Sequence, residues 1–110
     1  MEDLQRAVDE HTALFNASVA AGEWSLFVAT FAPDAVMRFA NTPLGPYEGR
    51  AAIAAAYAAQ PPDDTMTVVD IEAIGQDAAR VRFSWDHGGD GTMALQWRDG
   101  EVAALEIQFD

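Results

Sequence analysis

Few side chains in this chain of 110 residues could carry a reaction, and they are scattered. His11 is one of two histidines, and an imidazole with an ordinary pKa near ~6.5 is suited to moving a proton at neutral pH. Tyr57 offers a phenol that could donate to a ligand carbonyl. Asp86, His87 and Asp90 bring together types that bind metals. Arg38 could hold an anion, while Asn41 and Thr42 could hydrogen-bond a ligand at a cavity mouth. Each has a plainer reading. A single histidine on an apolar stripe is ordinarily an edge residue held by a hydrogen bond, and a tyrosine is commonly an aromatic with one wet edge. Tyr47 sits in a loop and reads as lid or surface. The glycines at 88, 89 and 91 mark a hairpin tip around the Asp-His-Asp group, with no further ligand from another element, so no metal site is expected.

Absences narrow the chemistry further. Without cysteine there can be no disulfide, thiolate nucleophile or cysteine-ligated zinc. All six cationic side chains are arginines, at 6, 38, 50, 80, 82 and 98. The lack of lysine removes Schiff-base catalysis and a phosphate-loop lysine. No cofactor motif is present, so no cofactor is expected. A net charge of −12 argues against nucleic acid and anionic membranes as partners, since both require a clustered positive field. The longest apolar run, 51–59, is too short to cross a bilayer. The acidic start lacks the basic and apolar stretches of a secretion signal, which makes cytoplasmic residence the expectation.

The elements that must position these groups follow from spacing. Leu4, Val8, His11, Phe15, Ser18 and Val19 recur at helical intervals, predicting a helix over 3–21 that Gly22 ends. Trp24, Phe27, Val28 and Phe31 repeat the interval and predict a shorter helix closed by Pro33. A strand over 35–40 follows, then a loop over 41–49 with two prolines and two glycines. The alanine-rich stretch 50–60 predicts a third helix, which Pro61-Pro62 ends. From Thr65 onward the pattern has period two, with turns at 75–77, 87–91 and 99–100. The expectation is one α+β domain over 1–110: three helices packed on a curved, mostly antiparallel sheet. Alternation places Val81, Phe83, Trp85, Met93, Leu95, Trp97, Leu105, Ile107 and Phe109 on the inner face. Arg38, beside Phe39, should point away. Arg82, Arg98, Glu106 and Gln108 then lie on the outer face, available to a second subunit. A β-bulge would shift this parity and could turn Asp86, Gln96 or Glu106 inward.

The order of these parts is similar to the nuclear-transport-factor-2-like superfamily, in particular its SnoaL-like and ketosteroid-isomerase branches. The resemblance rests on Gly22-Glu23-Trp24 before the second helix, Pro33-Asp34-Ala35 before the strand, and Gly49-Arg50 before the third helix. It implies a cone-shaped barrel around a small apolar pocket, and a homodimer formed through the outer sheet face. Ketosteroid isomerase moves a proton with an aspartate while a tyrosine and a protonated aspartate hold the enolate oxygen. By the resemblance, the tyrosine falls at Phe15, the base at Phe39 and the protonated aspartate at Met93. Of two supporting tyrosines, one falls at Phe31 and the other is matched by Tyr57. Phenylalanine cannot accept a proton and methionine donates no hydrogen bond. Steroid isomerisation by that route is therefore not expected.

Three functions stay open on these residues. The first is binding of a small apolar or aromatic molecule in a pocket lined by Phe15, Val19, Met37, Phe39, Tyr57, Phe83, Trp85, Met93, Leu95, Trp97, Ile107 and Phe109. In that reading Trp24, Trp85 and Trp97 build core and wall, with ligand stacking as the alternative. The second is a cofactor-free isomerase, dehydratase or cyclase with His11 or a displaced carboxylate as base and Tyr57 as donor. An imidazole or carboxylate bordering the pocket would favour it. The third is a dimerisation module whose interior is ordinary core.

Overall fold

The computed structural model describes residues 2 to 109. Helix α1 runs Glu2–Ala21, and α2 is a single turn, Ser25–Val28. Strand β1 is Phe31–Ala40, β2 is Tyr47–Glu48, and α3 is Arg50–Ala59. Four long strands complete the chain: β3 Met66–Gly75, β4 Ala78–Trp85, β5 Asp90–Arg98 and β6 Glu101–Phe109. They form one six-stranded sheet in the order β2-β1-β6-β5-β4-β3. Only β1 and β6 run parallel; the other neighbours are antiparallel. The sheet curls around the helices without closing, because β2 and β3 end the order unpaired with each other. No helix among the described residues is long and apolar enough to cross a membrane.

The second helix is shorter than its apolar spacing predicts. Phe31, Ala32 and Pro33 belong to β1, not to α2. Phe31 is drawn into the sheet opposite Val102, where the Val102 N–H donates to the Thr30 carbonyl at 2.9 Å. Pro33 lies where the register with β6 shifts between Phe31 and Val36. There its missing N–H leaves no ladder bond unmade. The expected loop also holds two ladder residues: Tyr47 and Glu48 pair with Met37 and Val36.

Alternation along β4, β5 and β6 sets the core. Val81, Phe83, Met93, Leu95 and Leu105 are buried, and the intervening Arg80, Arg82, Gln96 and Glu106 are exposed. A bulge does interrupt β6, but it turns no carboxylate inward. Gln96 pairs with Ala104 and Trp97 with Val102, so Ala103 is the extra residue. The parity shift brings Val102 into the core three residues before Leu105. Asp99 and Gly100, at φ 54° and 81°, make the tight β5–β6 turn, the left-handed pair that a two-residue hairpin requires.

Helix α1 is fastened to the sheet by a residue the hydrophobic pattern does not single out. Asn16 accepts from the Met66 N–H and donates to the Met66 carbonyl, both at 2.9 Å. Its amide thereby acts as a short extra strand at the start of β3. Above the sheet, Phe27 packs against His11, Phe15, Trp24, Phe31 and Tyr57 with ring centroids 5.0–5.8 Å apart.

Candidate functional site

Between the aromatic cluster of the helices and the far ends of the strands lies a cavity of about 410 Å³. Phe15 and His11 of α1, Phe27 of α2 and Tyr57 of α3 form its roof. Phe83 and Trp85 of β4, Met93 of β5, Ile107 and Phe109 of β6, and Phe39 of β1 form its floor and sides. Its volume falls within the range that accepts small organic ligands. A second hollow, about 550 Å³, is larger but different in kind. It is a cleft between the first turns of α1 and the β5–β6 turn, bordered by Asp3, Arg6, Glu10 and Asp77. Aromatic walls with a few converging polar atoms mark a ligand site, so the aromatic-lined cavity is the candidate.

Of the twelve residues expected around a pocket, Phe15, Phe39, Tyr57, Phe83, Trp85, Met93, Ile107 and Phe109 line this cavity. Val19, Met37, Leu95 and Trp97 do not. Met37 and Leu95 are buried as solid core at the narrow end of the curl. Trp97 stands near the β5–β6 turn and borders the outer cleft instead. Alternation fixed the face of these residues but not their height along the strand, and the aromatic cavity lies toward one end of the sheet. Asn41 and Thr42 are not among the lining residues. Tyr47 is half-buried with its ring edge-on to Phe39. Arg38 is exposed on the outer face.

His11 has no counterpart to the expected edge hydrogen bond. The ring is buried against Phe27 and Phe31, and Nδ1 has no hydrogen-bond partner among the described residues. Burial lowers its pKa to about 4, keeping the imidazole neutral at ordinary pH. The same ring borders both the interior cavity and the outer cleft, forming part of the wall between them. Tyr57 is buried too, stacked on Trp24 at 4.7 Å, and burial alone raises its pKa.

The mouth is the part that sequence reasoning missed. Gln60, Pro62, Asp63 and Asp64, between α3 and β3, face Gly88 in the β4–β5 turn. Asp64 ties the two together: it accepts from the His87 N–H at 3.1 Å and pairs with His87 Nδ1 at 2.7 Å. Asp86 accepts hydrogen bonds from the Thr65 and Thr67 hydroxyls, which hold its pKa below the usual carboxylate value. Asp90 accepts from Ser84 at 2.9 Å. The Asp86-His87-Asp90 group thus ties the β4–β5 turn to the start of β3 and to β4. Among the described residues, no three His, Cys, Asp or Glu side chains are grouped to hold a metal ion. The sequence signal was present in the Asp-Asp-Thr run at 63–65, but its partners lie more than twenty positions away.

The family model of the SnoaL-like domain matches residues 11 to 105. The chain belongs to the SnoaL-like family. Solved structures give the same fold. A Bacillus subtilis protein described provisionally as an isomerase superposes with a TM-score of 0.79 at 15% identity, covering 97% of this chain and 88% of its own. A nuclear-transport-factor-2-like protein of unknown function from Burkholderia xenovorans LB400 gives 0.75 at 18% identity, covering 99% and 84%. A Sinorhizobium meliloti protein described provisionally as a polyketide cyclase gives 0.70 at 23% identity, covering 93% and 98%. At these identities the likeness is one of fold. No curated protein matches the chain by sequence. Within this SnoaL-like domain the positions carried over from ketosteroid isomerase keep their apolar side chains at the cavity: Phe15, Phe39 and Met93 all line it.

Proposed function

We propose that this SnoaL-like domain binds a small, largely apolar or aromatic molecule in its interior cavity. The observation that carries the reading is a hollow of about 410 Å³ walled by aromatic and aliphatic side chains, in a chain where packing could have filled it. His11 and Tyr57 supply polar edges in the roof, an arrangement that would orient one polar group of an otherwise greasy ligand. The test is a thermal-shift series with uncharged bicyclic and tricyclic aromatic compounds. A ligand at a hundred times its Kd adds about 2.7 kcal/mol of stability, a rise of several degrees. Ile107→Trp, which puts an indole into the hollow, should abolish the shift while the domain stays folded. Absence of any shift across the series, or an equal shift in the Ile107→Trp variant, overturns the reading.

One observation favours a second reading, a cofactor-free isomerase, dehydratase or cyclase: a neutral imidazole and a phenol border the same cavity. Two features weigh against it. A base with a pKa of about 4 lies well below the operating pH that favours general-base catalysis. A working imidazole is also usually oriented through its other nitrogen, and here Nδ1 has no partner among the described residues. Binding is therefore the better supported function.

A further inference from the structure

The aromatic-lined cavity carries charge of one sign at its mouth. Asp63 and Asp64 border it beside Gln60, and no arginine is among the described residues that line it. Asp86 and Asp90 flank the turn that brings Gly88 to the same mouth. Asp64 is paired with His87, whereas Asp63 is exposed and enters no ion pair among the described residues. The roof adds no positive charge, because burial keeps the His11 imidazole and the Tyr57 phenol neutral at ordinary pH. The His11 ring, 5% exposed, borders the cavity with Nδ1 unpartnered among the described residues, so the interior still has a polar group to offer a ligand.

The walls fit the same sign. Phe109 lines the cavity yet is 42% exposed, so its ring reaches the open side. Phe39 and Trp85 lie nearly parallel to it, with centroids 5.9 and 6.3 Å away. The faces of such rings carry the negative part of a quadrupole and attract cations. We infer that the cavity selects an organic cation, a molecule with a flat apolar body and a single protonated amine. This rests on the ligand-binding reading of the same cavity and adds the sign of the ligand's charge. The body lies along Phe39, Phe109 and Trp85, and the ammonium stays at the mouth beside Asp63. An ammonium drawn into the dry interior would lose its hydration at great cost; at the mouth it keeps part of its water and gains a carboxylate. A molecule of the same shape bearing a carboxylate is rejected by Asp63 and Asp64, with no lining arginine to receive it. The net charge of −12 pulls in the same direction at longer range.

Three probes of one shape test the sign: naphthylmethylamine, naphthylmethanol and naphthoate, titrated by calorimetry at neutral pH and low salt. The amine should bind about 10-fold or more tighter than the alcohol, and naphthoate about 10-fold or more weaker than the alcohol. Asp63→Asn should shrink the amine-to-alcohol ratio, and Asp63→Arg should bring naphthoate above the amine. Since Asp63 is exposed and outside the core, both variants should fold, which far-ultraviolet circular dichroism checks. Ile107→Trp, which fills the hollow, should remove binding of amine and alcohol alike. An amine no tighter than the alcohol, or a ratio that neither Asp63 variant changes, overturns the inference while the cavity remains a ligand site. Amine binding that survives Ile107→Trp assigns the cation to the acidic surface and overturns it too. If none of the three binds, the inference falls, and the uncharged thermal-shift series decides the binding function separately.

Discussion

At the residue scale, His11 is the most consequential side chain in the molecule. A histidine on the apolar stripe of an amphipathic helix looks ordinary in sequence. In the fold, Phe27 and Phe31 pack against the buried ring, and Nδ1 has no partner among the described residues. Its folded pKa of about 4 lies below the ordinary value of 6.5, so between the two the unfolded chain binds the additional proton. Stability contributed by the neutral ring is complete above about pH 6.5 and falls as pH drops toward 4. Between about pH 7.5 and about pH 5 the loss should be on the order of 2 kcal/mol. Urea unfolding of wild type and His11→Leu at the two pH values checks this. The variant should lack that share of the acid sensitivity, and equal slopes in both proteins would show that the imidazole remains free to protonate in the fold.

At the scale of elements, Asn16 and Gly91 determine how helix and strands meet around the hollow. The paired hydrogen bonds from Asn16 to Met66 close the gap between α1 and the first residue of β3. Replacing Asn16 with alanine leaves both Met66 backbone groups without these partners and should cost about 1–3 kcal/mol. Asn16→Asp should also destabilise, because a carboxylate can accept from the Met66 N–H but cannot donate to its carbonyl. Chemical denaturation of both variants measures the two effects, and an unchanged midpoint in either would mean water replaces the clamp. Gly91 sits opposite Phe83 and Phe109 on the inner face. A Cβ there would stand 2.5 Å from the Phe83 ring, so the absence of a side chain lets that ring lie flat along the cavity floor. The second helix teaches the complementary lesson. Trp24, Phe27 and Phe31 kept helical spacing, but ladder pairing with β6 claimed Phe31 for the sheet. Spacing recorded that the residue is buried, not which element buries it.

For the whole molecule, charge and curvature dominate. Eighteen carboxylates face six arginines, and the described residues form two arginine–carboxylate ion pairs, Arg80 with Glu72 and Arg98 with Asp34. Each pair includes a largely exposed partner, where such pairs contribute little. Self-repulsion should therefore outweigh attraction, and raising salt from about 20 to about 300 mM should raise the Tm by screening it. A scanning calorimetry series checks this; a flat or falling Tm would assign the balance to the ion pairs instead.

Composition, spacing and turn residues alone determined the α+β class, the three helices, the meander and the direction in which most strand side chains point. These are local properties, written in periods of two and 3.6 residues. The resemblance to ketosteroid isomerase added that Phe15, Phe39 and Met93 stand where that reaction needs its polar groups, because residue type is read without coordinates. Tertiary structure decided what depends on height and distance: where along the curled sheet the cavity lies, and that Asp64 at its edge is tied to His87 far along the chain. It also decided that the Ala103 bulge turns Val102 inward rather than a carboxylate, and that His11 is buried with Nδ1 unpaired among the described residues. Alternation specifies a face, but curvature specifies where along that face the walls separate.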